Sequence, residues 1–178
     1  MRARTLAATL AVMLAGVAGA DAQQAAAPAA NPLDAIPDKL PFGTPYGPPI
    51  NLQRARAAID AAIAEATKRG WPLNIAVVDS GANLVAFVRM DGAMLASIAI
   101  SEHKARTAAK FRRPTHAFED GIQKSGFNYL MTIDDVVASR GGIPLIENDQ
   151  LIGAIGCSGG TGSQDEVVCT VGAATINK

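Results

Sequence analysis

Apolar residues recur at helical spacing between residues 52 and 66, as on the buried face of an amphipathic helix. The repeated positions are Leu52, Ala55, Ile59, Ala62, Ile63 and Ala66. Asn51 precedes them, and its side chain can accept a hydrogen bond from the free N–H groups of a first helical turn. Gly70 follows them, and glycine readily adopts the left-handed conformation that ends many helices. The pattern predicts a helix that begins after Asn51 and stops at Gly70.

Two pairs of β-rich runs surround short turns and predict two antiparallel hairpins. The first pair covers residues 73–78 and 84–89 around Asp79–Asn83, and the second covers residues 141–147 and 150–157 around Asn148–Asp149. The second pair is almost continuously aliphatic, which is typical of strands inside a sheet.

Three more helices follow from periodicity and end signals. One is expected over residues 94–110, and a shorter one is expected to open at Pro114 and Thr115 and to run to about Lys124. The last is expected to begin at Ser163, with Glu166 completing a capping box. Tight hairpins make neighbouring strands antiparallel, and amphipathic helices need a sheet to cover. We therefore predict an α/β (α+β) fold with one antiparallel sheet of about five strands flanked by helices.

The N-terminus has the composition of an export signal. Arg2 and Arg4 precede a short apolar run, and Ala-x-Ala motifs end at Ala20 and Ala22. The run is too short to span a bilayer comfortably, and no cysteine follows it to carry a lipid. We predict that residues 1–22 are a cleavable signal peptide and that the mature protein is periplasmic or secreted.

Residues 23–49 form an Ala/Pro-rich leader and an extended arm, because their prolines exclude a long helix or a central strand. The leader, to about Asn31, is expected to be disordered. The arm carries apolar side chains that can pack on the domain or on a neighbouring subunit, namely Leu33, Ile36, Leu40, Phe42 and Tyr46. The domain itself is assigned to residues 50–178.

Charge and composition narrow the class of protein. Sixteen basic and sixteen acidic residues balance, and only 4% of residues are aromatic. The chain thus lacks the basic surplus and the stacking side chains of nucleic-acid-binding proteins, and that class is excluded. No later segment offers an uninterrupted apolar span for a membrane. The two cysteines, Cys157 and Cys169, are placed so that a disulfide is possible but not required.

A glycine-rich loop connects the last strand to the last helix, around Ser158 and Gly159. Converging N–H groups and a helix N-terminus favour a carboxylate or phosphate, although a tight connection without a ligand explains the same glycines. Gly156 to Gly160 also fits the Gly-x-Ser-x-Gly nucleophile elbow. Both histidines lie upstream, however, so Ser158 is better explained as a hydroxyl that bonds within the loop.

Two histidines and a local basic run are the remaining candidates for chemistry. His103 and His116 lie on separate predicted helices, which excludes a zinc-type cluster but leaves either one available as a single axial ligand to haem iron. The basic run consists of Lys104, Arg106, Lys110, Arg112 and Arg113, with Thr115 just beyond it. Such a run can hold an anionic ligand, and a solvated helix face explains it as well.

Six blocks in order resemble the GlcG/HbpS family over about residues 47–176. They are Ala76-Val-Val-Asp-Ser-Gly81, Arg89-Met-Asp-Gly92, His103-Lys-Ala-Arg-Thr-Ala108, Arg113-Pro-Thr115, Gly141-Gly-Ile-Pro144 and Gly153-Ala-Ile-Gly-Cys-Ser-Gly-Gly160. The resemblance implies a profilin-like domain, commonly self-associating, and for some members haem binding, haem degradation or iron-linked sensing. Relatives usually carry other residues at Cys157 and Cys169, which favours pairing of the two.

Mapped onto this chain, the resemblance points to haem, or to a related tetrapyrrole or anionic small molecule. Thr115 or His116 would approach the iron, while Arg113, Lys104 or Arg106 would hold the propionates. Two alternatives stay open. One is a non-catalytic oligomeric module whose arm embraces a neighbouring copy, and the other is an enzyme that acts on a small organic acid.

Overall fold

The computed structural model describes residues 31–40 and 42–177. The predicted signal peptide and the leader up to residue 30 lie outside these residues. A first unit extends to Ala35, and in its described part a single 3-10 turn forms at Pro32–Asp34. Asn31 caps this turn, because its side chain accepts a hydrogen bond from the N–H of Leu33 at 3.0 Å.

The second unit contains all the remaining helices and strands that the structure describes. In chain order they are α1 (Leu52–Arg69), β1 (Asn74–Asp79), β2 (Leu84–Arg89), α2 (Ser97–Phe111), α3 (His116–Gln123), a 3-10 turn (Asn128–Thr132), β3 (Gly142–Glu147), β4 (Gln150–Ser158) and α4 (Gly162–Ala173). No helix among the described residues is both long and apolar enough to cross a membrane.

The four strands form one antiparallel sheet in the order β2-β1-β4-β3, which confirms both hairpins and places β1 and β4 in the centre. The prediction of about five strands was wrong by one. In place of a fifth strand, the end of the arm and the adjoining Ile50 pair with β4 beyond the point where β1 ends. Gly47 donates to the carbonyl of Leu151 at 2.7 Å, and Ile50 donates to the carbonyl of Ile152 at 2.8 Å. The arm makes a few hydrogen bonds there without becoming a strand.

Helices cover both faces of the sheet. α1 and α4 pack together on one face with the larger apolar core, and α2 crosses β1, β4 and β3 on the other face. The α2 side is built from small residues, mostly alanines, so the helix lies close to the strands. A side chain at Gly156, for example, would overlap the carbonyl of Ser101 on α2.

The ends of the helices test the predicted caps. Asn51 accepts from the N–H of Arg54 at 3.0 Å, and Gly70 ends α1 in the left-handed conformation, as predicted. The predicted cap of α4 was wrong, because the capping box is formed by Thr161 and Gln164 rather than by Ser163 and Glu166. α2 also begins later than predicted, at Ser97, after a turn.

The arm from residue 42 onward packs on its own domain. The hydroxyl of Tyr46 donates to the carbonyl of Lys110 at 2.6 Å, and Arg112 donates to the carbonyl of Thr44 at 2.9 Å. Of the two packing modes open from sequence, this part of the arm uses the intramolecular one. Ile36 and Leu40, farther upstream, are about nine-tenths exposed.

The outer edge of β3 is closed by side chains. Asn177 accepts from the N–H of Ile146 at 2.7 Å and donates to the carbonyl of Pro144 at 2.9 Å. Thr115 bonds both backbone groups of Gly142, each at 2.9 Å. Pro144 has no N–H to offer, so this edge is poorly suited to strand addition.

Cys157 on β4 and Cys169 on α4 form a disulfide, which answers the question that the sequence left open. Their Cα atoms are 5.7 Å apart and both residues are fully buried. The bond links α4 covalently to β4, the strand that leads into the glycine loop.

Candidate functional site

Two adjoining cavities of about 370 and 400 Å³ lie beside β3. They share Pro114, Ile143 and Asn177, so together they form one groove, called here the β3 groove. Each cavity falls in the size range of small-molecule sites. The walls are largely apolar, with polar groups confined to a few positions.

His116 stands at one end of the β3 groove, at the start of α3. Its Nδ1 lies 2.6 Å from a carboxylate oxygen of Glu166 on α4. A carboxylate on one ring nitrogen orients the imidazole and leaves Nε2 as the nitrogen available to a ligand, which is how metal-binding histidines are commonly held. His116 is partly exposed, so this nitrogen can be reached from the groove.

Arg140 connects the residues that position His116. Its Nε lies 2.9 Å from Glu119, and its other nitrogens lie 3.6 Å from Asp120 and from Glu166. Arg140 lies close to three carboxylates on α3 and α4. It therefore holds the helix that carries His116 and the helix that carries Glu166 in a fixed relative position.

Arg112 and Arg113 stand at the other end of the groove, where α2 has ended. The guanidinium of Arg113 is stacked between the rings of Phe42 and Phe118, at 3.5 and 4.6 Å from their centroids. Burial lowers the pKa of Arg113 from its ordinary value. The Nε groups of both arginines are buried and have no acceptor among the described residues. A buried donor without an acceptor is uncommon, and it suits a site for an anionic group.

Thr115 is fully buried, and its polar groups are hydrogen-bonded to β3. Its N–H donates to the carbonyl of Gly142, and its hydroxyl accepts from the N–H of the same glycine. The residue therefore anchors the corner between α2 and α3 and places His116, rather than facing the groove itself.

Lys104 does not face a ligand either. Its ammonium lies 2.8 Å from Asp165 and 3.3 Å from the carbonyl of Cys157, and its side chain is only 1% exposed. A propionate at Lys104, as predicted from the sequence, would have to displace Asp165.

The glycine loop is filled by the chain's own side chains. Gly160 donates to the carboxylate of Asp165 at 3.0 Å, and Thr161 donates to the side chain of Gln164 at 2.8 Å. Ser158 is buried, and a side chain at Gly159 would meet the Pro72–Leu73 segment. The sequence suggested that this loop could bind an anionic ligand. In the structure, the N–H groups of Gly160 and Thr161 are already bonded to side chains of α4, so they are not available to an organic acid.

His103 and Arg106 lie away from the β3 groove, in a cavity of about 200 Å³ on α2. Asp135, Val136 and Val137 complete the lining of this cavity, and Arg106 is paired with Glu102 at 3.2 Å. Its volume is about half that of either part of the β3 groove, which makes it a poor site for a tetrapyrrole.

The structure thus brings His116 and Arg113 to one groove and separates them from the other predicted site residues. Sequence reasoning missed Glu166, Arg140 and the contribution of Arg112. No local spacing connects Glu166 to His116, since 50 residues separate them. Among the described residues, no group of three or more histidine, cysteine or acidic side chains could hold a metal ion.

Comparisons with protein families, with known proteins and with solved structures identify the same group of relatives. Residues 50–174 match the family model of the haem degrading protein HbpS-like. Protein GlcG of Escherichia coli K12 is 40% identical over 109 residues, which cover 61% of this chain and 81% of GlcG. The crystal structure of HbpS has a TM-score of 0.69 and 29% identity, covering 74% of this chain and 93% of HbpS. The crystal structure of a PduOC:haem complex has a TM-score of 0.66 and 27% identity, covering 72% of this chain and 96% of PduOC.

Proposed function

Since the chain belongs to the HbpS-like family, we propose that it binds haem, or a closely related tetrapyrrole, in the β3 groove. The proposal rests on the different side chains at the two ends of this groove. One end offers a histidine oriented by a carboxylate, and the other end offers two arginines with unsatisfied buried donors. A flat apolar ring with an iron at its centre and carboxylates at its edge matches both ends.

His116 is the proposed axial ligand, through Nε2. Glu166 would hold the proton on Nδ1 and raise the basicity of the ring, as carboxylates do behind metal-binding histidines. When bound, haem would supply an iron centre that can bind a small ligand or exchange an electron. Apolar wall residues such as Ile143 and Pro114 would keep water from the ring faces.

Arg113 and Arg112 are the proposed partners of the propionates. Arg113 has no carboxylate within ion-pair distance among the described residues, so its charge is not yet balanced. An arriving propionate would provide that balance and would accept from the buried Nε. Lys104 and Arg106, which the sequence also suggested, have partners of their own.

A haemin titration of the purified protein tests the proposal. We expect a shifted Soret band that saturates at micromolar haemin. His116→Ala should abolish the shift that reports axial ligation, and Glu166→Gln should weaken binding by about 10- to 100-fold. His103→Ala is the matched control and should bind as the unmodified protein does. A normal spectrum for His116→Ala would contradict this assignment.

The dimethyl ester of haem tests the arginines separately, because it lacks the propionate charges. Arg113→Met should weaken the binding of haemin but leave the binding of the ester nearly unchanged. Arg69→Met, which removes another arginine stacked on an aromatic ring, is the control and should change neither. Equal losses of affinity for haemin and for the ester would mean that Arg113 contributes to binding through packing rather than through its charge.

We further propose that the bound haem is degraded, as the family description suggests, or that it reports iron status. Incubation of the haem complex with ascorbate in air distinguishes these roles. Loss of the Soret band together with release of chelatable iron would support degradation. A stable Soret band would favour sensing or storage.

Export to the periplasm or beyond is proposed from the composition of residues 1–22. A cleaved N-terminus after Ala20 or Ala22 in the periplasmic or secreted fraction would support it. Full-length protein in the cytoplasmic fraction alone would contradict it.

A further inference from the structure

Residues 42–46, called here the arm segment, contact the C-terminal end of α2 beside the β3 groove. The segment is fastened to the sheet where Leu151 donates to the carbonyl of Pro45 at 2.9 Å. It is fastened to α2 where the hydroxyl of Tyr46 donates to the carbonyl of Lys110 at 2.6 Å. The first three residues of the segment form part of the wall of the groove, at the end where the two arginines lie.

Phe42, the first residue of the arm segment, packs on the guanidinium of Arg113. The guanidinium lies 3.5 Å from the ring centroid of Phe42 and 4.6 Å from that of Phe118. Phe118 is almost fully buried and packs edge-on against Phe111, so the domain itself holds this ring in place. Phe42 is the ring that the arm segment adds. A cation covered by two rings is shielded from water, and it then attracts an anion more strongly than an exposed arginine does.

Arg112 is held by the same segment. It ends α2 with φ at 54°, in the left-handed conformation that glycine and asparagine adopt more readily than arginine does. Its Nη1 donates to the carbonyl of Thr44 at 2.9 Å, and its guanidinium lies 5.0 Å from the ring centroid of Tyr46. These two contacts offset part of the backbone strain and fix the direction of the side chain.

The contacts with the arm segment leave the charges of both arginines unbalanced. Neither Arg112 nor Arg113 has a carboxylate partner among the described residues. Their Nε groups are buried and lack an acceptor in the same part of the chain. A ring stacked on a guanidinium covers its face and leaves the N–H groups along its edge able to donate. The arm segment therefore orients two cations without neutralising them.

On the basis of the proposed function, we propose that the arm segment gives the β3 groove its selectivity for tetrapyrroles with free carboxylates. The segment does so by positioning Arg112 and Arg113. Haem carries its propionates side by side at one edge, which suits two adjacent arginines that each have an unused Nε. A tetrapyrrole with amidated or esterified carboxylates offers only uncharged acceptors, which form weaker hydrogen bonds with a guanidinium. Phe42 and Tyr46 are thus positioning residues that act through the arginines.

Titrations with haemin and with its dimethyl ester test this selectivity. Phe42→Ala removes one of the two rings on Arg113, so it should weaken the binding of haemin by about tenfold and the binding of the ester by less than about twofold. Phe42→Tyr keeps the ring and should bind both ligands as the unmodified protein does. Leu40→Ala, at an exposed position upstream of the arm segment, is the matched control. A loss of affinity that is equal for the two ligands, or no loss for either, would overturn the proposal.

A double variant shows whether Phe42 acts through Arg113. If it does, Phe42→Ala combined with Arg113→Met should bind haemin no more weakly than Arg113→Met alone, because the arginine that Phe42 positions is already absent. Additive losses would mean that Phe42 contacts the ligand independently, and they would refute the positioning role.

NMR of the ligand-free protein tests the same contact without haem. An aromatic ring shifts the signals of protons above its face upfield, so the side-chain signals of Arg113 should move downfield in Phe42→Ala but not in Leu40→Ala. The Nε–H of Arg113 should also exchange faster with water in Phe42→Ala, since the ring that covers it is lost. Unchanged Arg113 signals would refute the positioning role. Failure of the unmodified protein to bind haemin would instead overturn the proposed function, and the selectivity with it.

Discussion

The ammonium of Lys104 lies 2.8 Å from the carboxylate of Asp165, and each side chain is 3% exposed or less. The pair connects α2 to the first turn of α4 across the end of β4. Asp165 also accepts from Gly160, so one buried carboxylate holds both the lysine and the glycine loop in place.

Lys104→Met is expected to destabilise the fold by about 3–5 kcal/mol, because it leaves Asp165 buried without its counter-charge. Urea denaturation measures the loss. Lys110→Met is the matched control, since it removes a partly exposed ion pair with Asp135 and should cost less than about 1 kcal/mol. Similar losses for the two variants would contradict the burial argument.

Removal of the disulfide by the double substitution Cys157→Val and Cys169→Ala should lower stability by about 3 kcal/mol, as expected for a loop of this length. The denaturation midpoint in urea gives the loss. Treatment of the unmodified protein with dithiothreitol in urea should produce a similar shift. An unchanged midpoint in the double variant would show that the packing of α4 is sufficient without the bond.

Gly142→Ala is expected to destabilise the protein by about 1–3 kcal/mol, since a Cβ at this position would overlap the carbonyl of Lys104. The same substitution at Gly43, where no atom lies within 4 Å of the added carbon, should change stability by less than about 0.5 kcal/mol. Thermal unfolding of the two variants provides the comparison. A neutral Gly142→Ala variant would mean that α2 can move away from β3.

The fold should lose stability in acid partly through Glu147. Its side-chain hydrogen bond with Arg54 lowers the pKa of this carboxyl below its ordinary value of 4.5. A carboxyl with a lowered pKa in the folded state stabilises the fold above the ordinary value, and this contribution disappears as the pH falls through the lowered one. Glu147→Gln should therefore show a shallower loss of stability below about pH 4.5.

The control for this pH experiment is Asp38→Asn, an exposed carboxyl with no ion-pair partner among the described residues. Its denaturation midpoint should follow that of the unmodified protein at each pH. Parallel curves for Glu147→Gln and the unmodified protein would remove Glu147 from the acid response.

Local signals were sufficient to predict much of the fold. The hairpin at Asn148–Asp149 follows from residue types that tolerate positive φ, and both residues adopt it, at 49° and 61°. The cap of α4 could not be predicted, because Thr161 with Gln164 and Ser163 with Glu166 have the same spacing. The tertiary structure decides between them, since Glu166 is engaged by His116.

The site was harder to predict because its contacts are long-range. Lys104 stood in a basic run and was interpreted as a ligand-binding charge, but its partner lies 61 residues away. One local signal was present: Ser101, Ala105 and Ala108 mark the buried side of α2, and Lys104 is adjacent to it. His116 and Arg113 were predicted as site residues from the family resemblance, and the structure places both beside the β3 groove.

The closure of β3 by Asn177, Thr115 and Pro144 limits how far this sheet can grow. A strand that arrived at this edge would meet no N–H group at Pro144 and would have to displace the hydrogen bonds of Asn177 and Thr115. Growth of fibrils through the β3 edge is therefore disfavoured, because such growth needs a row of unpaired backbone groups.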